Sequence, residues 1–197
     1  MSAGQKAPAG RRSRIYLTGF SGSGKSHIGR LVAQKLGWRF LDTDQMIVKK
    51  SGRQIPEIFE MDGEAAFREL ERQALTDAAQ SERCVISTGG GVPVDPANRA
   101  LMRESGVVVR LIASPETILA RLTTGNTTRS GKKWRQTVRP LLQGGEPMER
   151  IKVLLGEREE AYATADEAVD TEESIPEETA ARVIAAWERV TQAWSVE

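Results

Sequence analysis

The sequence predicts an α/β fold: a parallel sheet with helices packed on both faces. Three observations predict it. Short apolar, β-rich runs alternate with segments of helical periodicity along the whole chain. One of those runs, Val107-Val108-Val109-Arg110-Leu111-Ile112, is apolar almost throughout, as a strand covered on both faces must be. Gly19, Asp42 and Gly89 each follow the end of such a run.

Taken in order, Ile15-Tyr16-Leu17-Thr18 is the first strand and ends at Gly19. A helix follows, with Ile28, Leu31, Val32 and Leu36 on one face and Gly37 as its stop. Phe40-Leu41 is a second strand ending at Asp42. Ile55 to Ala79 reads as helix with a weak break at Asp62-Gly63. Cys84-Val85-Ile86 is a third strand running into Gly89-Gly90-Gly91. Pro96 to Glu104 is a helix, Val107 to Ile112 the fourth strand, and Pro115 to Leu122 another helix with Ser114 placed to cap it. Glu149 to Ala163 is helical, Ala168-Val169-Asp170 a short last strand, and Pro176 to Trp194 a closing helix. Its Val183, Ile184, Trp187, Val190 and Trp194 recur at helical spacing and read as core or docking residues.

The 197 residues suit one domain, and 39% hydrophobic residues suffice for a core. A formal net charge of +1 gives no overall attraction to nucleic acid or membrane. The single cysteine, Cys84, excludes an internal disulfide and sits in an apolar run, where it reads as a small buried hydrophobe. Apolar stretches are too short to cross a bilayer. Residues 1–13 lack an apolar core and read as a disordered tail rather than an export signal, so the expected compartment is the cytoplasm.

In open parallel sheets, ligands bind beyond the carboxyl ends of the strands. Gly19, Asp42 and Gly89 all follow strand ends and are expected to converge on one crevice.

The strongest motif is Gly19-Phe20-Ser21-Gly22-Ser23-Gly24-Lys25-Ser26, a full match to G-x-x-x-x-G-K-[ST] between a strand and an amphipathic helix. Its glycines let backbone N–H groups point at phosphate oxygens, and the helix N-terminus adds its positive dipole end. Lys25 offers a mobile cation to the β and γ phosphates, and the Ser26 hydroxyl can ligate Mg²⁺. Gly22, Ser23, Gly24, Lys25, Ser26 and His27 form the expected ATP-binding stretch. His27, the only histidine, is read as structural or facing solvent and gives no basis for an acid–base role.

Asp42-Thr43-Asp44 puts two carboxylates two residues apart at a strand end. On an extended segment both would point the same way. One can hold Mg²⁺ through its water shell, and the other can accept the proton of an attacking hydroxyl. Alone, the pattern reads more readily as a turn or a helix cap; after a phosphate-binding strand and helix, the chemical reading is preferred.

Between Arg121 and Arg139 stand six basic residues and no acidic one: Arg121, Arg129, Lys132, Lys133, Arg135 and Arg139. Residues 123–147 are expected to form a lid that closes over ATP and excludes water. A solvated charge run is the plainer reading of any one of these residues. Arg68 and Arg158 sit among glutamates on predicted helices, so spacing alone makes each a helix-surface ion-pair partner.

Taken together these pieces resemble the shikimate kinase family. The resemblance rests on Gly19 to Ser26, Leu41-Asp42-Thr43-Asp44, Gly52-Arg53-Gln54-Ile55-Pro56-Glu57-Ile58-Phe59, Phe67-Arg68-Glu69-Leu70-Glu71, Thr88-Gly89-Gly90-Gly91, Arg139-Pro140-Leu141-Leu142, and Arg158 with Tyr162. It runs from about residue 14 to about residue 190. It implies a P-loop NTPase with a nucleoside-monophosphate-kinase-like three-layer fold, a five-stranded parallel sheet and a lid, residues 14–194 forming one domain. It implies transfer of the ATP γ-phosphate to the 3-hydroxyl of shikimate, with Mg²⁺ as cofactor, by a monomer. By the same resemblance Ser26 and Asp42 serve the metal, Lys25 the phosphates, and Asp44 the substrate hydroxyls and the proton. Arg68 and Arg158 clamp the carboxylate, Gly89, Gly90 and Gly91 bring backbone against the ring, and Arg139 reaches ATP from the lid.

The chain departs from the family pattern at His27, where a small hydroxyl residue is expected, in the long stretch from Asn126 to Val138, and at Glu172-Glu173-Ser174-Ile175-Pro176, which lacks the arginine many members place near adenine. A gluconate kinase or another small-molecule kinase of the same fold is the nearest alternative, and a non-catalytic nucleotide switch is the alternative from another class.

Overall fold

The computed structural model describes residues 9–124, 146–172 and 174–194. Five strands form one parallel sheet, β1 (Arg14–Thr18), β2 (Arg39–Asp42), β3 (Cys84–Ser87), β4 (Val107–Ile112) and β5 (Glu167–Asp170), in the order β2-β3-β1-β4-β5. Every pairing is parallel, with Leu17 of β1 opposite Ser87 of β3 and Val109 of β4. The helices are α1 (Lys25–Leu36), α2 (Thr43–Ser51), α3 (Ile55–Ala79), α4 (Pro96–Ser105), α5 (Pro115–Thr124), α6 (Pro147–Tyr162) and α7 (Pro176–Ala193).

The period-two alternation of strand side chains divides the core into two layers. Ile15 and Leu17 of β1 join Val107 and Val109 of β4 against Ile28 and Val32 of α1 and Ala180 and Val183 of α7. Tyr16 and Val108 face the other way, onto Leu75 and Ala78 of α3 and Met102 of α4. Cys84 is buried in this second layer, and burial pushes its thiol up to about 11, so it is no nucleophile. Trp187 packs edge-on to Trp38 at 5.3 Å between ring centroids, in the docking role expected for it.

Local signals set the element ends. Gly24, at φ 95°, turns the chain from the glycine-rich loop into α1. Gln54 and Glu57 close a capping box at the start of α3, which breaks at Gly63 (φ 80°). The Ser114 hydroxyl accepts from Thr117 N–H, as its expected capping role requires.

Two findings differ from the sequence reading. Residues 9–13 form a 3₁₀ turn, and Arg12 C=O accepts from the Trp187 indole. The expected extended Asp-Thr-Asp segment is instead a strand-to-helix junction. Asp42 ends β2 and caps α2 by accepting from Gln45 N–H, while Asp44 lies in the first helical turn.

Candidate active site

The loops after β1, β2 and β3 meet at the carboxyl edge of the sheet. Their backbones are tied directly: Thr88 N–H and its hydroxyl both donate to Leu17 C=O, and Gly89 N–H donates to the Thr43 hydroxyl. Between them opens a cleft of about 260 Å³. Its lining includes Gly22, Gly24, Lys25, Ser26, His27, Asp42, Asp44 and Gly90.

In the phosphate loop, buried Lys25 donates from Nζ to Gly19 C=O and Phe20 C=O, both at 2.8 Å. These carbonyls hold the ammonium at the cleft. Ser23 is buried in the loop, whereas His27 is exposed and lines the cleft. The Ser26 hydroxyl donates to Asp42 Oδ2 at 2.6 Å and lies 3.3 Å from the Ser87 hydroxyl. A hydroxyl and a carboxylate side by side at the loop's end are hard oxygen donors of the kind Mg²⁺ prefers. Among the described residues no group of three or more His, Cys, Asp or Glu is gathered for a metal, and an ion that shares its shell with phosphates and water does not require one.

The opposite side of the cleft is built around the triple glycine. A methyl on Gly89 would lie 2.8 Å from Asp44 Oδ1 and 2.7 Å from Glu71 Oε1, so these two carboxylates flank its Cα. A methyl on Gly91 would lie 3.0 Å from Arg68 Cζ. Arg68 pairs with Glu64 at 2.9 Å and with Glu71 at 2.5 Å. Burial opposes the charge on Arg68, but Glu71 and then Glu64 outweigh it and raise its pKa. Glu71 is almost fully buried, and burial pushes its carboxyl above the usual range. Arg68 and Arg158 pull it back, while Asp44 pushes it further. Glu71 therefore feels Arg68, Asp44 and Arg158 together.

Arg158 is not the helix-surface residue that its glutamate neighbours suggest. It is 6% exposed, donates to Gly90 C=O at 3.3 Å, and lies over the Phe20 ring at 5.6 Å. The structure thus brings Lys25, Ser26, Asp42, Asp44 and Gly90 to the wall of one cleft; Gly89, Gly91, Arg68 and Arg158 adjoin it through their contacts with Asp44, Glu71 and Gly90. Arg139 and most of the expected lid lie outside the described residues.

Three residues without an assigned role in the sequence reading also contribute. Glu71 stands one turn from Arg68, a spacing that signals an ion pair but not its burial. Tyr162 donates to Gly90 C=O at 2.7 Å. Arg121 lines the cleft, where it donates to the Thr171 hydroxyl and backbone carbonyl at 2.9 and 3.0 Å.

The family model for shikimate kinase matches residues 21–188. This chain belongs to the shikimate kinase family. A shikimate kinase from Geobacter metallireducens is 42% identical over 177 residues, covering 90% of this chain and 92% of its own. Among solved structures, shikimate kinase from Acinetobacter baumannii in complex with shikimate superposes with a TM-score of 0.78 at 34% identity, covering 87% of this chain and 90% of that one. A gluconokinase from Sinorhizobium meliloti shares the fold, with a TM-score of 0.55 at 18% identity over 94% and 97% of the two chains.

Proposed function

We infer that this chain is a shikimate kinase, transferring the γ-phosphoryl group of ATP to the 3-hydroxyl of shikimate to give shikimate 3-phosphate and ADP. The observation that carries the reading is the placement of two arginines, Arg68 and Arg158, at the triple glycine, whose Gly89 adjoins Asp44 and whose Gly90 packs on the phosphate loop. Family membership supports it.

The work of the residues follows from their positions. Backbone N–H groups from Gly22 to Ser26 and the N-terminus of α1 receive the phosphates. Lys25 exchanges its bonds to Gly19 and Phe20 for phosphate oxygens. Arg68 and Arg158 hold the shikimate carboxylate, a task suited to the planar guanidinium fork. Gly89, Gly90 and Gly91 let the ring approach the backbone. Asp44 binds the ring hydroxyls and accepts the 3-hydroxyl proton as that oxygen bonds to the γ-phosphorus and the bond to the ADP oxygen breaks. The Ser26 hydroxyl would hold Mg²⁺ directly and Asp42 through water; when bound, the ion neutralises charge on the phosphates. Residues 123–147 serve as the lid of a single domain spanning 14–194, with Arg139 reaching ATP. We take the protein to act as a monomer in the cytoplasm, in line with its single buried cysteine and near-neutral charge.

The test is ADP formation from Mg-ATP with shikimate, gluconate, quinate or nucleoside monophosphates. Strong stimulation by shikimate alone is expected. No stimulation by shikimate would overturn the substrate assignment, and slow turnover with every acceptor would favour a nucleotide switch.

A further inference from the structure

Gly90 is where three parts of the site meet. Its carbonyl accepts from the Tyr162 hydroxyl at 2.7 Å and from Arg158 Nη1 at 3.3 Å. Its Cα packs on the phosphate loop, where a methyl would lie 3.3 Å from Ser21 N and 3.6 Å from Gly19 O. Arg158 and Tyr162 are four residues apart on α6, so they present one face to this carbonyl. Tyr162 is only 1% exposed. Its ring is held from behind by Arg110, 5.3 Å from the ring centroid, and Arg110 is itself gripped by both oxygens of Glu159.

Two donors on one carbonyl set up a competition. Arg158 must give up or share its long bond to Gly90 C=O when it turns to an incoming carboxylate. Among the described residues, the shorter bond from Tyr162 is then what keeps the carbonyl bonded. We propose that Tyr162 is a positioning residue: its hydroxyl anchors the Gly90 carbonyl and so releases Arg158 to the carboxylate of the acceptor. Without that hydroxyl, Gly90 C=O would depend, among the described residues, on Arg158, and the acceptor would have to compete for the guanidinium. The inference rests on the assignment of Arg158 as a carboxylate clamp.

Tyr162→Phe removes one oxygen and keeps the buried ring. The expected result is a KM for shikimate raised about five- to tenfold, the value of one ordinary hydrogen bond. KM for ATP stays unchanged and kcat changes by no more than about twofold. Loss of packing alone would not separate the two substrates in this way. In an Arg158→Ala background, adding Tyr162→Phe raises KM for shikimate no further, because the hydroxyl acts through the arginine. An unchanged KM for shikimate, an equal rise for both substrates, or full additivity in the double variant would each overturn the proposal. Wild-type protein that turns over shikimate while Tyr162→Phe shows no split defeats the role of Tyr162 alone. Wild-type protein inert toward shikimate defeats the function assignment as well.

Discussion

Gly91→Ala separates acceptor binding from folding. Gly91 has φ −93° and ψ −16°, a conformation any residue adopts, so alanine meets no backbone strain. Its methyl would lie 3.0 Å from Arg68 Cζ and 3.2 Å from Nη2, and closer still to Nη1. Non-bonded contacts settle at about 3.5–4.0 Å, and the closest atom, Nη1, sets the movement, so the guanidinium must retreat by more than about 1 Å. The Arg68 side chain is long, flexible and 29% exposed, so it can move without disturbing the core. A glycine-to-alanine change at a compatible site stabilises by about 0.4–1 kcal/mol, and the lengthened Arg68–Glu71 pair offsets that gain. The melting temperature should therefore shift by no more than about 4 °C. Binding should suffer more. A hydrogen bond to a charged group is worth about 1.5–3 kcal/mol, and solvent around Arg68 favours the lower end, so KM for shikimate should rise about tenfold. The assay is ADP release at varied shikimate and saturating ATP, beside a thermal melt. An unchanged KM would refute the role of Arg68 at the carboxylate. A collapse in melting temperature, with both KM values rising, would refute the claim that this glycine serves the ligand rather than the fold.

Other expectations follow from the same geometry. Asp44→Asn should lower kcat by about 10²- to 10⁴-fold while leaving ADP affinity, measured by calorimetry, within about twofold. Chelation of Mg²⁺ should abolish turnover, and Ser26→Ala should raise the Mg²⁺ concentration needed for half-maximal rate; a variant with wild-type metal dependence would remove Ser26 from the metal site. Glu172 accepts from the Ser114 hydroxyl and backbone N–H, bonds that pull its carboxyl down to about 2 from 4.5. Because the folded-state value is the lower one, its stabilisation is full above about pH 4.5 and fades as the pH falls toward 2. The difference in melting temperature between wild type and Glu172→Gln should shrink over that range; a constant difference would show that the bond's ionisation does not matter.

The parts of the fold legible in the sequence were those where function or burial compresses information into a short stretch. Gly19 to Ser26 sits between an apolar strand and an amphipathic helix, and the structure keeps that order. The near-continuous apolar run of Val107 to Ile112 became an inner strand because it packs helices on both faces. Asp42 and Asp44 reached the same cleft for a reason the spacing did not give: one caps a helix and the other lies in its first turn. Arg158 illustrates the limit of local reading. Its neighbours in sequence are glutamates, yet it reaches Gly90 and Phe20, 68 residues away and further, as well as Tyr162 on its own helix. Long-range contacts of that kind leave no periodic trace, and it was the family pattern rather than the spacing that singled out Arg158. Glu71 pairs with nearby Arg68, but its burial and its closeness to Asp44 and Arg158, like the bond from Tyr162 to Gly90, come from distant parts of the chain.

The central claim is tested most directly by identifying the product. Protein incubated with Mg-ATP and shikimate would be followed by phosphorus and proton NMR. The account predicts one new phosphomonoester, on the oxygen of carbon 3, formed in equal amount with ADP. Release of inorganic phosphate with unmodified shikimate, or phosphate on another hydroxyl, would contradict it.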